Sequence, residues 1–201
     1  MRIANYHVHG EIGDPGLIHF LSEEIGLYGS SDAARIVLHI NSPGGDLLTA
    51  IQAINLIRSS PVPVLTILNG AAESAALLIL MAGHKRAAFS NSFGMAHHLS
   101  TAIEGKFHDL QSNVEHLNML DSTMIALWKT YTKLDMKTIR NEMLGRHDKY
   151  LDTAALKRYN IIDEILTPGS SLQRFMERPI NDKEKTKKRV RREGDSESED
   201  S

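Results

Sequence analysis

The chain has 201 residues, 41% of them hydrophobic, and a formal net charge of −2 at neutral pH. This length and composition predict one domain with a sizeable core, and the near-neutral charge gives no indication of a nucleic-acid-binding protein. Cysteine is absent from the sequence, which excludes disulfide bonds, a thiolate nucleophile and a Cys-ligated zinc site.

Strands and helices are predicted to alternate along most of the chain. Repeated strand–helix crossovers of this kind favour an α/β fold with a mainly parallel sheet and helices on its faces. The predicted strands are 3–8, 35–40, 64–68, 87–89, 93–96 and 161–166. The predicted helices are 14–25, 48–57, 74–81, 106–132, 136–143 and 153–159.

Targeting and membrane signals are weak in this sequence. The first residues, 1–7, contain no apolar run of the kind that a signal peptide requires. The most apolar run, 77–82, is far shorter than the roughly 20 residues that span a bilayer. We therefore expect a cytoplasmic protein without membrane contact.

The composition changes sharply near residue 180. A basic block at 183–192 is followed by an acidic block at 193–201, and apolar residues almost disappear. Such a segment cannot bury enough apolar surface to offset its ordering entropy. We expect a folded domain over 1–168 and a charged, disordered tail over 169–201. Such a tail can simply be solvated. Alternatively, it can serve in docking or in nucleic-acid contact.

A Pro-Gly-Gly turn follows the strand at 35–40 and precedes the next helix. Gly44 and Gly45 therefore place backbone amides at a helix N-terminus, where donors and the helix dipole favour negative charge. Two glycines also allow the backbone to come close to a substrate. Such a turn is a possible oxyanion site, although a Pro-Gly-Gly turn by itself is most often only a turn.

A serine begins the apolar helix after the strand at 64–68. The residues near Ser74 include alanines at 71, 72, 75 and 76, which leave space for a bound peptide, but a serine in this position can also simply cap its helix. His97 and Asp148 lie further along the chain and could act as base and orienting acid. The spacing of these three residues proves nothing, because a catalytic triad is assembled by the fold.

Six segments of the chain carry a combined pattern of order and spacing: Asn41–Gly45, Gly70–Ser74, Ala82–Gly83, Asn91–His97, Arg146–Leu151 and Tyr159–Leu166. Taken together, they resemble the proteolytic subunit of the Clp protease family. The resemblance covers about residues 3–167, most of the predicted domain. It implies a crotonase-like spiral of ββα units with a protruding handle helix, here 106–132. It also implies a homo-oligomer of stacked seven-membered rings, with an ATP-driven unfoldase as partner.

The same resemblance assigns roles to individual residues. Ser74 corresponds to the nucleophile, His97 to the general base and Asp148 to the acid that orients the histidine. The amides of Gly45 and Ala75 correspond to the oxyanion hole. The implied protein is a serine endopeptidase that hydrolyses peptide bonds of protein or peptide substrates inside a ring chamber, with no metal and no cofactor.

Three further interpretations stay beside this one. A compact chain of this kind also resembles phage-encoded head-maturation proteases, which would make capsid or scaffolding proteins the substrates and the phage prohead the location. A non-proteolytic crotonase-fold acyl-CoA enzyme would use the same oxyanion turn with a carboxylate, for which Glu73 is the candidate. The third interpretation is an inactive homologue with a role in assembly.

Overall fold

The computed structural model describes residues 2–28, 34–101, 104–167, 169 and 172–178. Strands and helices alternate along these residues, as the sequence predicts. The strands are β1 Arg2–His9, β2 Ala34–Ser42, β3 Val64–Glu73, β4 Lys85–Phe89, β5 Phe93–Ala96, β6 Lys149–Asp152 and β7 Glu164–Leu166. The helices are α1 Gly16–Tyr28, α2 Leu47–Ser59, α3 Ala75–Ala82, α4 Phe107–Tyr131, α5 Met136–Thr138 with a π-helical continuation Ile139–Met143, α6 Thr153–Arg158 and α7 Leu172–Glu177.

The strands form one sheet that is parallel almost throughout. Its main path runs β1-β2-β3-β4-β7, and each neighbouring pair on this path is parallel. Strand β5 leaves this path, pairing in parallel with the end of β3 and antiparallel with β6. Helices connect the parallel strands, because such strands need a crossover. The expected α/β fold with a mainly parallel sheet is confirmed.

Helix α3 occupies the centre of the main hydrophobic core. All eight of its residues are buried, between the sheet and the flanking helices. A helix that is apolar on every side belongs in the interior of a protein, which accounts for the apolar run at 77–82. Among the described helices, none combines the length and the hydropathy that crossing a membrane requires.

The opposite face of the sheet is covered in part by helix α7. Phe175 is buried there against Val37, Leu65 and Ile67, and the Lys85 ammonium lies 4.1 Å from the centre of the Phe175 ring. Helix α7 lies beyond residue 168, where we expect the folded domain to end. Leu172 and Met176 of this helix pack on the same apolar patch as Phe175. The rest of the predicted tail, 179–201, lies outside the described residues.

Strand β3 continues well beyond its predicted end at Leu68. It runs through Asn69 and Gly70 to Glu73. The strand changes partner within this range: Leu65–Leu68 pair with β4, and Ala71–Glu73 pair with β5. The extension carries the chain directly to Ser74.

Helix α4 is the long helix predicted at 106–132. Its C-terminal part is anchored in the core through Met124, Ile125 and Trp128. Its N-terminal half exposes apolar side chains, with 69% of Phe107 and 69% of Met119 accessible to solvent. A helix that is anchored at one end and apolar but exposed at the other is consistent with the expected handle.

A buried arginine joins three parts of the fold. The Arg86 guanidinium donates to both carboxylate oxygens of Asp163, at 2.6 and 3.1 Å, and to the carbonyls of Tyr131 and Asn160. It therefore ties β4 to the end of α4 and to the segment that precedes β7. The contacts between these three parts of the fold therefore depend on the Arg86 side chain.

We expect Arg86→Leu to lower the free energy of unfolding by about 3 kcal/mol. This value is near the lower end for a broken buried ion pair, because water can reach the Asp163 carboxylate that loses its partner. Urea denaturation measures this change. The matched control is Arg178→Leu, whose partner Glu164 lies 2.9 Å away in an exposed pair. Its expected cost is below about 1 kcal/mol. Equal costs for the two variants would contradict the role given to Arg86.

Candidate active site

Ser74 occupies the sharp turn between β3 and α3. Its backbone adopts φ 52° and ψ −122°, a region that residues other than glycine rarely visit. The hydroxyl makes no capping hydrogen bond to the helix that it precedes. Its Oγ lies instead 2.7 Å from Nε2 of His97. The strained turn therefore presents the hydroxyl to an imidazole, and the alternative role as a helix cap is not seen.

The pairing between β3 and β5 brings His97 to this position. Glu73 pairs with Met95, and the Ser74 amide donates to the Met95 carbonyl at 2.8 Å. His97 follows one residue after the end of β5 and is half-buried. The two residues are 23 positions apart in the sequence. They meet because β3 and β5 are neighbouring strands that end at the same edge of the sheet.

The Pro-Gly-Gly turn lies directly against the serine. A Cβ atom on Gly44 would lie 2.8 Å from Cβ of Ser74 and 2.6 Å from the Glu73 carbonyl oxygen. Gly44 also has φ +93°, which favours glycine. Only a residue without a side chain permits this approach of the two turns.

Gly45 forms a parallel bridge with Ile12. In this bridge the Gly45 amide points away from Ile12. The Ile12 amide donates to the Gly44 carbonyl and the Asp46 amide donates to the Ile12 carbonyl, both at 2.7 Å. In a parallel bridge, these two bonds leave the N–H of the central residue on the opposite side. That side is the cleft, which Gly45 lines together with Ser74.

The amide of Ala75 is the second candidate donor. Ala75 is the first residue of α3, so its N–H has no partner within the helix and carries the positive end of the helix dipole. Neither this amide nor that of Gly45 donates a hydrogen bond to any other residue in the described part of the chain. Two uncommitted donors therefore line the cleft beside the serine, as a developing oxyanion requires.

Asp148 is close to His97 along the backbone but does not contact its ring. The antiparallel pairing of Ala96 with Lys149 places Asp148 opposite His97 when the register is extended by one residue. The Asp148 side chain is exposed, and no hydrogen bond joins it to His97 in the ranges that the structure describes. The serine and the histidine are thus brought together, whereas the predicted orienting acid is adjacent but not engaged.

The cleft beside these residues has a volume of about 680 Å³. One wall is formed by the oxyanion turn, and another by helix α4. Glu73, the carboxylate of the acyl-CoA interpretation, is not among the described residues that line the cleft, whereas Glu11 and Asp46 are. The apolar residues of the cleft are Leu47, Leu48, Leu78, Met95, Leu99, Leu117, Leu120, Met124 and Trp128, with alanines at 75 and 96.

Three polar residues that we assigned no role hold the turns in place. Ser42 donates to the Gly10 carbonyl at 2.6 Å and accepts from the Gly44 amide at 3.1 Å. Asn41 accepts from the Ala71 amide, and Ser92 accepts from the Gly70 amide, each at 3.0 Å. All three lie in segments that carry the family resemblance, so their positions were visible in the sequence although their function was not.

No group of three or more potential metal ligands occurs among the residues with described positions.

We expect Gly45→Ala to lower kcat by about 10²–10³-fold, the usual loss for one oxyanion donor. A Cβ atom there would lie 2.2 Å from the Ile12 carbonyl oxygen, so the bridge must break and the amide must move. Peptidase assays measure the loss. Gly26→Ala is the control, because its Cβ would have no heavy atom within 4 Å. Full activity of Gly45→Ala would exclude this amide from the site.

The family model described as Clp protease matches residues 17–169. An ATP-dependent Clp protease proteolytic subunit of Deinococcus radiodurans is 29% identical over 134 residues, which are 66% of this chain and 65% of that protein.

Two further relatives carry similar names. The ATP-dependent Clp protease proteolytic subunit of Pleurastrum terricola is 27% identical over 156 residues, which are 77% of this chain and 79% of that protein. Proteolytic subunit 1 of Rhodococcus jostii is 31% identical over 134 residues, or 65% of this chain and 60% of that protein. The chain thus spans less than two thirds of the Deinococcus and Rhodococcus relatives.

Proposed function

The chain belongs to the Clp protease family, and from this membership we propose that it is a serine endopeptidase. The observation that carries the proposal is the 2.7 Å contact between Oγ of Ser74 and Nε2 of His97, in a cleft lined by two uncommitted backbone amides. A nucleophile in contact with its base, next to preorganised donors, is the arrangement that acyl transfer requires.

The reaction begins when Ser74 attacks a peptide carbonyl and His97 takes the hydroxyl proton through Nε2. The carbonyl oxygen gains negative charge and accepts hydrogen bonds from the Gly45 and Ala75 amides. His97 then gives the proton to the leaving amine, which leaves an acyl group on Ser74. Water deprotonated by His97 attacks this ester, the bond to Oγ of Ser74 breaks and His97 returns the proton to Oγ, so that the second product leaves as a carboxylic acid.

Asp148 acts in the proposed mechanism as the acid that orients His97. Its carboxylate accepts a hydrogen bond from Nδ1–H, which fixes the tautomer and stabilises the imidazolium. The register of β5 and β6 supports this role, because the pairing of Ala96 with Lys149, extended by one residue, would set the Asp148 backbone opposite His97. Formation of this bond requires a local rearrangement of an exposed side chain and not a change of fold.

The cleft favours substrates with an apolar side chain next to the scissile bond. Leu78, Leu120, Met124 and Trp128 contribute apolar surface close to Ser74. An apolar side chain that enters this part of the cleft gains roughly 25 cal/mol per Å² of area removed from water.

We also propose that the protein works as a homo-oligomer whose rings enclose the cleavage sites. The relatives are named proteolytic subunits and ATP-dependent. The exposed apolar half of α4, with Phe107, Val114 and Met119, is a suitable contact surface between stacked rings. An ATP-driven unfoldase is the corresponding partner, and a capsid or scaffolding protein stays a predicted substrate.

Incubation of the purified full-length protein with a mixed peptide library tests the proposed function. Mass spectrometry of the products should show new termini, with cleavage preferentially after apolar residues. His97→Ala provides the control for contaminating peptidases. An intact library after prolonged incubation with the wild-type oligomer would refute the proposal.

A further inference from the structure

The segment that carries His97 has few backbone attachments. Beyond the end of β5, no backbone hydrogen bond joins residues 97–101 to another residue of the described ranges. The segment is held by the contact of His97 with Ser74, by partial burial of Leu99 and by one further polar contact. That further contact therefore has a large share in fixing where the His97 ring lies.

The further contact joins His98 to Asp121 on helix α4. Nε2 of His98 lies 3.1 Å from Oδ1 of Asp121. This oxygen is shielded from solvent and accepts no hydrogen bond in the described part of the chain. The two atoms lie within ion-pair distance, and such a contact offsets part of the cost of shielding a carboxylate oxygen from water.

Asp121 itself stands outside the cleft. It is not among the described residues that line the cleft, whereas its neighbours Leu120 and Met124 are. The carboxylate lies on the turn that precedes the buried part of α4, where Met124 and Ile125 begin the anchored section of the helix. The contact therefore fixes the His97 segment to a rigid element.

We propose that the His98–Asp121 pair is a clamp that positions His97 against Ser74. Both are positioning residues, since neither reaches the reacting atoms. The inference rests on the proposed function and adds to it a connection between helix α4 and the general base. A shift of α4 would displace His97 through this pair, and a misplacement of about 1 Å can cost on the order of 10²-fold in rate.

The test is the rate at which a fluorophosphonate probe modifies Ser74 in the full chain, followed by intact-protein mass spectrometry. We expect Asp121→Asn and His98→Gln each to lower kinact by about 10- to 100-fold. For Asp121→Asn the apparent KI of the probe should stay unchanged, because Asp121 does not line the cleft. A purely structural role of Asp121 would not give this separation of kinact from KI.

A double-variant cycle sharpens the test. If the two residues act as one clamp, the double variant should react no more than about twofold slower than the slower single variant. The exposed pair His19–Glu23 has the same 3.1 Å separation and serves as matched control. His19→Gln and Glu23→Gln should both react at the wild-type rate.

Labelling of Asp121→Asn and of His98→Gln at the wild-type rate would overturn the clamp while leaving the proposed function intact. Multiplicative losses in the double variant would also overturn it, because they would show that the residues act independently. Circular dichroism identifies a variant that fails to fold, and the other single variant then decides the question. A wild-type protein that the probe does not modify at Ser74 would refute the proposed function itself.

Discussion

Replacement of Ser74 by alanine should lower kcat by about 10⁶-fold, the scale observed when a serine protease loses its nucleophile. Alanine removes one oxygen atom and leaves the turn between β3 and α3 otherwise unchanged. Because the hydroxyl makes no capping hydrogen bond, its loss should leave the unfolding transition near that of the wild type. Hydrolysis of an apolar fluorogenic peptide, measured together with thermal unfolding, checks both expectations.

Ser22→Ala is the matched control for this variant. Ser22 is exposed on helix α1 and is not among the described residues that line the cleft. The control should retain wild-type turnover. Peptidase activity that survives in Ser74→Ala, after contaminating enzymes have been excluded, would mean that another group is the nucleophile.

Asp148→Asn should lower kcat by about 10⁴-fold if the carboxylate orients His97 during turnover. Asparagine has nearly the same shape, but it can stabilise the wrong tautomer of the imidazole and cannot balance the imidazolium charge. The effect should fall on kcat more than on KM, because Asp148 is not among the described residues that line the cleft. Steady-state kinetics on the same peptide measure the two parameters.

His147→Asn controls for changes in this exposed loop, since His147 precedes Asp148 and is also exposed. It should behave as the wild type. If Asp148→Asn stayed within about threefold of the wild type, the working site would be a serine–histidine pair without this acid, which still retains oxyanion and binding contributions.

The arrangement of the sheet could be predicted because its signals are local. The apolar strands at β2 and β3 and the helical spacing in α2 and α4 each depend on nearby residues. Parallel order then follows from the crossovers, and it brings the strand ends to one edge. Ser74, His97 and Gly45 meet around one cleft because they lie at that edge. The family resemblance had already implied that these three residues meet.

Other features depend on contacts between distant residues and could not be predicted. The continuation of β3 through Asn69 and Gly70 becomes favourable only because Ser92 and Asn41 satisfy backbone amides there. Helix α7 depends on packing against distant residues, which form the apolar patch around Val37 and Ile67. The short strand β6 has too few residues to show a pattern, and without it the proximity of Asp148 to His97 cannot be inferred.

A serine protease of this kind requires an activated hydroxyl on Ser74. Such a hydroxyl can be detected without knowing the substrate. The full-length protein is treated with a fluorophosphonate probe, digested and mapped by mass spectrometry, beside His97→Ala under the same conditions. We expect one modified residue, Ser74, and almost no modification in His97→Ala. An unmodified wild-type protein, modification at another residue, or equal modification of Ser74 without the histidine would each contradict a serine protease with Ser74 as its nucleophile.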